Sequence, residues 1–393
     1  MTPAALTQAA IELVDAIAAA AQAGGAAADT LIARYFATRR YAGSKDRRAV
    51  RDLVYRAIRA AGEPPASGRA AMLLVADGDP ALAETFNGSV HGPARTAPDE
   101  PRAAPGAAPA WLVERLEDSG VSDDAMAALV GRATLDVRVN SLKARRATLT
   151  IPGAEPTPHA PAGLRLPSGT NVETLSEYRD GLIEVQDEGS QIVGAALAAA
   201  PGQRIIDLCA GAGGKTLQLA AEMAGAGEIL ACDIDRARLS RLPARAERAG
   251  ATIVETRLLN PGREAEMLAD WQASADGVLI DAPCSGTGTW RRNPEARWRL
   301  NADRLARYAA AQQHVLKVGA ALVKPGGALA YIVCSLLDEE GADRIAAFLA
   351  ANPGWQAEAL SLGAGAPRGA GVRLDPASDR TDGFFVARLR APC

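Results

Sequence analysis

Residues 204–223 combine a short apolar run, a glycine-rich turn and a helical pattern, and this order constrains the fold more than any other feature of the chain. Residues 204–209 have the length of a strand, residues 207–216 read Asp-Leu-Cys-Ala-Gly-Ala-Gly-Gly-Lys-Thr, and residues 216–223 carry apolar side chains at helical spacing. A strand that turns through glycines into a helix brings backbone close to a ligand and points helix N–H groups at it. The segment therefore predicts a ligand-binding turn in an α/β domain.

Three kinds of nucleotide-binding loop have this general form, and the positions of the glycines distinguish them. A phosphate-binding P-loop needs a first glycine where the chain has Cys209, and a dinucleotide fingerprint that starts at Gly211 needs a glycine where the chain has Thr216. An acidic strand end followed by Gly-x-Gly-Gly is typical of S-adenosylmethionine loops, and an ordinary glycine-rich turn is the alternative for this segment alone. The predicted cofactor loop comprises Cys209, Ala210, Gly211, Ala212, Gly213, Gly214 and Lys215.

The next strand along the chain also ends in an acid. Residues 228–233 form a short apolar run that ends at Asp233. In a doubly wound sheet, an acid at the end of the second strand accepts hydrogen bonds from ribose hydroxyls. At this distance from the glycine loop, a cofactor role for Asp233 is favoured over simple capping of the next helix.

Two later strands end next to cysteines. Residues 277–281 form a buried type of strand that delivers Asp281 and Cys284, and residues 327–333 precede Cys334. Ligands of open α/β sheets bind outside the carboxyl ends of the strands, so we expect both thiols to face one cleft. A single cysteine at a strand end is more often a small buried hydrophobe. Two of them, beside an aspartate and a cofactor loop, favour a role in chemistry.

Strands alternate with helices through the second half of the chain, at 204–209, 228–233, 253–257, 277–281 and 328–334. This alternation predicts an α/β fold with a mainly parallel, Rossmann-like sheet and right-handed crossovers. The regions before it differ in composition. We expect a helical domain over residues 1–91, a Pro/Ala-rich linker over 92–110, a small α+β subdomain over 111–180 and the sheet domain over 181–393.

Together these motifs resemble the Sun/Nop family of RNA cytosine-5 methyltransferases, and most closely its RsmB/Fmu type, which modifies 16S ribosomal RNA. The likeness rests on residues 207–216, on Asp-Ala-Pro-Cys-Ser at 281–285 and on Cys-Ser at 334–335, and it extends over residues 111–393. The resemblance implies a Rossmann-like S-adenosylmethionine methyltransferase sheet, a small α+β RNA-binding subdomain and an all-helical, NusB-like N-terminal domain.

The family's chemistry explains the pair of thiols. Carbon 5 of cytosine is a poor nucleophile, and a thiolate that adds to carbon 6 activates it, while a carboxyl group such as Asp281 stabilises the adduct at ring nitrogen 3. The resemblance implies that Cys334 is the attacking nucleophile and that Cys284 helps to release the product. DNA cytosine-5 methyltransferases use the cysteine of a Pro-Cys motif instead, which here is Cys284.

The chain departs from the family pattern at three places. Gly211-Ala212 stands where relatives have Ala-Pro, so we expect a freer loop. Val333 precedes the second catalytic cysteine, where relatives have Thr, and Asn260 replaces an Asp near the adenine. Asparagine can still accept a hydrogen bond from an amino group, so Asn260 remains a predicted cofactor contact. Asp281 is also predicted to contact the cofactor, in addition to its catalytic role.

Positive charge is concentrated locally although the formal net charge is −3. Phosphate binding needs such local charge and not a basic total. A first basic cluster lies between residues 34 and 59. A second basic segment, residues 290–299, combines arginines with tryptophans, which suits contacts with phosphates and unpaired bases. A solvated helix face or loop is the alternative for both segments. The first cluster comprises Arg34, Arg39, Arg40, Lys45, Arg47, Arg48, Arg51, Arg56 and Arg59.

Composition narrows the remaining possibilities. Five cysteines at no metal-ligand spacing and only three histidines argue against a metal site and suit a reducing cytoplasm. We expect a soluble monomer that has RNA as its partner, 16S ribosomal RNA in naked or early assembly form, and no membrane attachment. A transfer-RNA substrate, a DNA or small-molecule methyltransferase and a non-catalytic RNA-binding or antitermination factor are the alternatives.

Overall fold

The computed structural model describes residues 1–393, and the polypeptide divides into two units that are not contiguous in sequence. The helical unit contains Met1–Arg132 and Thr289–Asn301, and the sheet unit contains Ala133–Gly288 and Ala302–Cys393. The chain therefore leaves the sheet unit shortly after the strand that carries Asp281, adds a second segment to the helical unit and returns.

Seven α-helices belong to the helical unit. The longest begins where Thr2 accepts a hydrogen bond from the N–H of Ala5 (3.2 Å), with Pro3 in its first turn. Its apolar face, which includes Leu13 and Ile17, is buried in the core of the unit. The helices are α1 (Pro3–Gln22), α2 (Ala28–Ala37), α3 (Ser44–Ala60), α4 (Gly68–Ala76), α5 (Pro80–Ala83), α6 (Ala110–Asp118) and α7 (Asp123–Leu129). The predicted helical N-terminal domain is confirmed.

By length and composition alone, the first helix, α1, could cross a membrane. In the structure, however, 56% of its most apolar 18-residue stretch is buried inside the protein. Polar side chains interrupt the apolar sequence, and one of them, Asp15, accepts a hydrogen bond from the N–H of Gly68 at the start of α4 (2.6 Å). The packing of α1 is that of a core helix in a folded unit.

Residues 92–110, expected to be a linker, pack onto the helical unit. Ala103 is buried in its core, Gly62 donates to the carbonyl of Ala104 (3.0 Å), and Gly106 donates to the carbonyl of Ala60 (3.2 Å). The segment is held because its backbone groups find partners on the helices. The structure also places α6 and α7 in the helical unit, so the division falls at Arg132 and not at residue 110.

The Arg/Trp segment at 290–299 is buried, which corrects the expectation that it stacks on RNA bases. Trp290 and Arg297 are fully buried, and Trp298 lies in the core of the helical unit. Arg297 donates to the carbonyls of Ile58 (2.6 Å) and Ala61 (2.8 Å), two of the carbonyls left without an intrahelical partner near the end of α3. The arginine and tryptophan side chains therefore fasten this segment to α3.

A small antiparallel sheet opens the sheet unit, with strand order β2-β3-β1-β4. Its central strand carries Asp136, which pairs with Arg165 (2.8 Å). Beyond that strand, Asn140 donates to the carbonyls of Gly181 (2.9 Å) and Ala249 (2.8 Å) and so ties the small sheet to the rest of the unit. The elements are β1 (Leu135–Val139), β2 (Glu155–Pro156), β3 (Gly163–Leu166), α8 (Ser176–Arg179) and β4 (Ile183–Val185).

The main sheet has nine strands. Five of them are parallel, in the order β7-β6-β5-β8-β9, and the antiparallel strands β13, β12 and β11 continue beyond β9, while β10 pairs with β13. The strands are β5 (Arg204–Asp207), β6 (Glu228–Asp233), β7 (Val254–Leu258), β8 (Ala275–Asp281), β9 (Val323–Val333), β10 (Gln356–Glu358), β11 (Ala366–Arg368), β12 (Gly371–Leu374) and β13 (Phe384–Arg390). The predicted Rossmann-like sheet is confirmed.

Helices follow most of the parallel strands, as the sequence pattern predicts. The strand order reverses at β5, which lies between β8 and β6, and ligands of such sheets bind at this point, outside the carboxyl ends of the strands. The helices are α9 (Glu188–Gly194), α10 (Gly214–Glu222), α11 (Arg236–Leu239), α12 (Leu242–Ala249), α13 (Glu264–Met267), α14 (Ala302–Leu322) and α15 (Ala342–Ala351).

Candidate active site

A cavity of about 760 Å³ lies at the carboxyl ends of β5, β6, β8 and β9, and all of its lining residues belong to the sheet unit. This is the location that the sheet topology predicts for a ligand. The cavity brings together Asp233, Asp281, Cys284 and Cys334, which the sequence had singled out on three separate strands. For convenience, the side near Asp233 is termed the cofactor half, and the side of Asp281, Cys284 and Cys334 is termed the thiol half.

The glycine turn between β5 and α10 has a fixed conformation. Gly211 and Gly213 have positive φ angles of 54° and 89°, which glycine adopts without strain, and a Cβ on Gly213 would collide with Leu242. The N–H of Gly213 donates to Ala210 (2.8 Å), and the carbonyl of Ala212 accepts from Arg245 Nη1 (2.6 Å). These hydrogen bonds hold the turn in this conformation although it lacks the family's proline, and the expectation of a freer loop stays a prediction.

Asp233 joins the glycine turn to the end of β6. Its Oδ2 accepts from the N–H of Gly211 (2.7 Å) and its Oδ1 accepts from the N–H of Asp235 (2.7 Å), and the carboxylate lines the cavity. Each carboxylate oxygen has a second lone pair, so Asp233 can accept further hydrogen bonds from a ligand's hydroxyl groups. It therefore has the position and the acceptor capacity of a ribose-binding acid.

The residues of the cofactor half fit S-adenosylmethionine. Gly214 begins α10, and a Cβ placed on it would meet no atom within 4 Å, so a ligand can approach the backbone there. The first N–H groups of α10 have no intrahelical acceptor and point outward. Leu208, Leu259 and Pro261 supply apolar surface in the same cavity, which suits a purine ring.

Asn260 lies between two lining residues, Leu259 and Pro261, and its own side chain is exposed. Its backbone N–H points to the sulfur of Met267 (3.3 Å). Asn260 is therefore at the rim of the cofactor half, and its contact with an adenine stays a prediction. Cys209 lines the cavity, and its contact with the cofactor stays a prediction, whereas Cys232 is buried in the core of the sheet unit.

Lys215 links the two halves of the cavity. Its ammonium group is buried and lies 2.7 Å from Oδ2 of Asp281 at the end of β8. Burial disfavours the charged lysine, but the charge and hydrogen bond of Asp281, together with the charge of Cys334, outweigh burial and raise the pKa of Lys215. The ammonium group therefore stays charged beside the thiol half.

Asp207, at the end of β5, is a buried acid beneath the glycine turn. It accepts a hydrogen bond from Thr216 Oγ1 (2.6 Å), and its second oxygen has no partner. Burial raises the pKa of Asp207 to about 7, and the nearby charge of Asp281 adds to that shift against the opposing effects of Thr216 and Lys215. The sequence identified Asp207 only as a strand-end acid, since its burial depends on the surrounding strands.

The two predicted thiols meet in the thiol half. The sulfur atoms of Cys284 and Cys334 are 3.5 Å apart, and both side chains are partly exposed to the cavity. Strand pairing sets this approach, because β8 and β9 run parallel with Asp281 opposite Ile332, and the N–H of Gly288 donates to the carbonyl of Cys334 (3.0 Å). The contact with Cys334, burial and the charges of Cys334 and Glu340 raise the pKa of Cys284.

Helix α14 supplies lining residues that the sequence analysis missed. Tyr308, Ala311 and His314 project from one face of the helix into the cavity, and His314 Nε2 lies 3.2 Å from the carboxylate of Glu264. Their spacing of three residues is a helical signal, but nothing in the sequence shows which face of α14 meets the strand ends. Arg238, on α11, also lines the cavity.

Comparison with known proteins adds three findings. The family model described as 16S rRNA methyltransferase RsmB/F matches residues 194–390. A curated relative, ribosomal RNA small subunit methyltransferase B of Citrobacter koseri, is 36% identical over 294 residues, which cover 72% of this chain and 66% of that protein. The corresponding protein of Salmonella typhi is also 36% identical over 294 residues, with the same coverage of both chains.

Solved structures show the same architecture. The crystal structure titled PH0851 matches with a TM-score of 0.77 and 25% identity and covers 99% of both chains. A methyltransferase homolog protein from Pyrococcus horikoshii matches with a TM-score of 0.59 and 25% identity, over 72% of this chain and 99% of that one. The family match confirms the predicted methyltransferase relationship and S-adenosylmethionine as the cofactor.

Proposed function

Because the chain belongs to the 16S rRNA methyltransferase RsmB/F family, we propose that it transfers a methyl group from S-adenosylmethionine to carbon 5 of a cytosine in small-subunit ribosomal RNA. The chain spans about two thirds, 66%, of the length of the first curated relatives, so the activity and the substrate of the whole protein are part of this proposal.

One observation carries the choice of cytosine carbon 5. Two cysteines whose sulfurs are 3.5 Å apart share one cavity with Asp281 and with the cofactor half. Methyl transfer to an oxygen or an amino nitrogen has no need of a pair of thiols, since these atoms carry lone pairs of their own. Carbon 5 of cytosine requires covalent activation at carbon 6, and a thiolate is suited to that addition.

In the proposed reaction, the sulfur of Cys334 forms a bond with carbon 6 and the electron pair of the ring double bond moves towards nitrogen 3. Asp281, held by Lys215, is assigned to deliver a proton to nitrogen 3 and to recover it when the adduct breaks down. S-adenosylmethionine would supply an electrophilic methyl group to carbon 5, with the bond between that methyl group and the sulfonium sulfur breaking. The hydrogen of carbon 5 finally passes as a proton to solvent water, the electron pair of that bond restores the ring double bond, and the bond between Cys334 and carbon 6 breaks with its electron pair returning to sulfur.

Cys284 is assigned to the last stage, the release of product. Its sulfur is adjacent to that of Cys334, and the contact with Cys334 and burial raise the pKa of Cys284. Cys284 as the attacking nucleophile is the alternative that the Pro-Cys motif leaves open. Cys334 is preferred as the nucleophile because the Cys-Ser at 334–335 resembles the second cysteine motif of the family.

The proposal is tested by bisulfite sequencing of ribosomal and transfer RNA from the wild type, from a deletion strain, and from that strain complemented with Cys334→Ala. We expect the deletion to remove 5-methylcytosine from one position of small-subunit ribosomal RNA, and only the wild-type gene to restore it. The target base must leave its stack to reach the cavity, so naked or partly assembled RNA should be the better substrate. Loss of a transfer-RNA mark with an unchanged ribosomal profile would move the protein to the alternative substrate.

We further propose that the protein works in the cytoplasm as a monomer, with RNA as its partner. Exposed basic side chains on α3 and in the loop before it, among them Arg40, Lys45 and Arg48, are available for phosphate contacts. Others in this cluster already pair with acids, as Arg56 does with Asp79 (2.7 Å), and contribute less.

A further inference from the structure

A buried carboxylate, that of Glu340, forms hydrogen bonds with Ser285, the residue that follows Cys284. Glu340, in the loop after β9, is 1% exposed and forms no ion pair. Its Oε1 accepts from the N–H of Ser285 (2.9 Å) and from Nε2 of Gln312 (3.0 Å), and its Oε2 accepts from the hydroxyl of Ser285. All these neighbours are donors, which is the environment of an ionised carboxylate. Burial of a charge without a counter-ion is costly, so its place behind the thiols requires a reason.

The hydrogen bonds of Glu340 join the loops that carry the two cysteines. Ser285 follows Cys284 in sequence, and its hydroxyl lies 3.3 Å from that of Ser335, which follows Cys334. The hydroxyl of Thr287 is 3.0 Å from the Ser335 hydroxyl and accepts from the N–H of Leu336 (2.9 Å). Movement of one cysteine loop therefore disturbs the other through this network.

Two further hydrogen bonds hold the backbone around Glu340 and Cys284 in place. Tyr331 on β9 donates to the backbone carbonyl of Glu340 (2.7 Å), and Gln312 on α14 also donates to the carbonyl of Pro283 (3.0 Å), one residue before Cys284. Helix α14, strand β9 and both cysteine loops thus converge on Glu340.

The two thiols have unlike charged neighbours. The negative charge of Glu340 is one of the causes that raise the pKa of Cys284, after the contact with Cys334 and burial. Cys334 interacts with the ammonium group of Lys215. Tyr308 on α14 interacts electrostatically with both thiols and Tyr331 on β9 with Cys284, and Asp281, paired with Lys215, shares the same half of the cavity.

We propose that Glu340 is a positioning residue that holds the Cys284 and Cys334 loops together and places a buried negative charge beside the Cys284 loop, which makes Cys284 the less reactive of the two thiols. This inference rests on the proposed covalent roles of the two cysteines and adds a residue that acts through them. Glu340 touches neither the cavity nor the reacting atoms.

The test is site-resolved alkylation of the full-length protein by iodoacetamide over a range of pH, without RNA or cofactor, read by peptide mass spectrometry. In the wild type, Cys334 should react at lower pH than Cys284. Glu340→Gln should make Cys284 react about tenfold faster near pH 8, because only the thiolate reacts, and should accelerate Cys284 more than Cys334. In methyl transfer, the same variant should lower kcat with little change in KM for RNA.

Glu339→Gln is the matched control, since it removes the same charge from the neighbouring, partly exposed residue. It should keep the wild-type alkylation profile. Glu340→Asp should retain the slow reaction of Cys284, because the charge remains. An unchanged Cys284 profile in a folded Glu340→Gln protein, or equal acceleration of both cysteines, overturns the proposal.

If Glu340→Gln does not fold, Ser285→Ala provides a milder test of the same sign. It removes one hydrogen bond that favours the charged carboxylate, so Cys284 should alkylate faster than in the wild type but more slowly than in Glu340→Gln, and an unchanged rate contradicts the role of Glu340. Because alkylation needs no substrate, its outcome is separate from the proposed function. A protein that fails to methylate RNA can still show the Glu340 effect, and an active enzyme can lack it.

Discussion

The two halves of the cavity are built in different ways. The cofactor half depends on the backbone behind it: Asp233 lines the cavity, and its carboxylate holds the glycine turn, which has positive φ angles, leads into α10 and is not itself among the lining residues. The thiol half consists of side chains, with two cysteines in contact and an aspartate paired with a lysine. Substitution of either cysteine should therefore change chemistry without changing cofactor affinity, and substitution of Asp233 should do the reverse.

The largest effect is expected for Cys334→Ala. Methyl transfer should be abolished, because the proposed thiolate that activates carbon 5 is lost. Binding of S-adenosylmethionine, measured by isothermal titration calorimetry, should stay close to that of the wild type, since the side chain belongs to the thiol half. Cys232→Ala, at a buried cysteine outside the cavity lining, serves as the control and should keep activity in a folded protein. Near-normal turnover of Cys334→Ala removes Cys334 as the nucleophile.

Cys284→Ala should separate the two thiols from each other. Attack and methyl transfer should proceed while release stalls, so a covalent protein–RNA adduct should accumulate. A denaturing gel with labelled RNA should show a shifted band for this variant and none for the variant that lacks both cysteines. An adduct in Cys334→Ala and none in Cys284→Ala reverses the two roles, and absence of an adduct at every time point rejects the release role.

The cofactor half should respond in binding. Asp233→Ala should weaken S-adenosylmethionine binding by about 1–3 kcal/mol, the range for loss of a charge-assisted hydrogen bond. The loss includes the contact with Gly211, which leaves the glycine turn less restrained. Methyl transfer at saturating cofactor should be largely recovered. Unchanged affinity in calorimetry excludes Asp233 from the site, and a defect that saturation does not relieve would join it to the thiol half.

The smallest effect is a change of stability with pH at Asp207. Burial raises the pKa of Asp207 from its ordinary acidic range to about 7, so near neutral pH the folded state binds a proton that the unfolded state has released. Stability from this group is therefore fully present below the unfolded pKa and is lost as pH rises through about 7. Between about pH 6 and about pH 8 the wild type should lose roughly 1 kcal/mol more than Asp207→Asn. The free energy of unfolding is measured by urea denaturation at both pH values for each protein. An equal change in the wild type and in Asp207→Asn contradicts the raised pKa.

Sequence patterns located the strands of the parallel sheet and most of the cavity. The predicted strands at 204–209, 228–233 and 277–281 overlap β5, β6 and β8, because buried parallel strands are short apolar runs whose ends carry polar residues. Asp233, Asp281, Cys284 and Cys334 do line one cavity. Their common position at carboxyl ends made this predictable once the sheet was taken as parallel.

Other features depended on contacts between distant parts of the chain. The segment 289–301 follows β8 in sequence, but Arg297 and Trp298 are buried among the helices of the helical unit. A buried segment and an RNA-binding loop can contain the same arginines and tryptophans, so only the fold distinguishes the two. The proline-rich stretch at 92–110 has the composition of a linker. Its hydrogen bonds to α3 and α4 join residues distant in sequence, so no local pattern indicates them.

The sequence by itself determined the α/β class, the glycine turn and the pair of thiols, because each is specified by residue types within a few positions of one another. The tertiary structure alone decided which charges surround each thiol. Lys215 reaches Asp281 from α10, and Glu340 reaches Ser285 from the loop after β9, so the two cysteines acquire different surroundings from residues far from them in sequence. Electrostatic interactions depend on distance and burial in the folded chain, and neither can be read from the order of its residues.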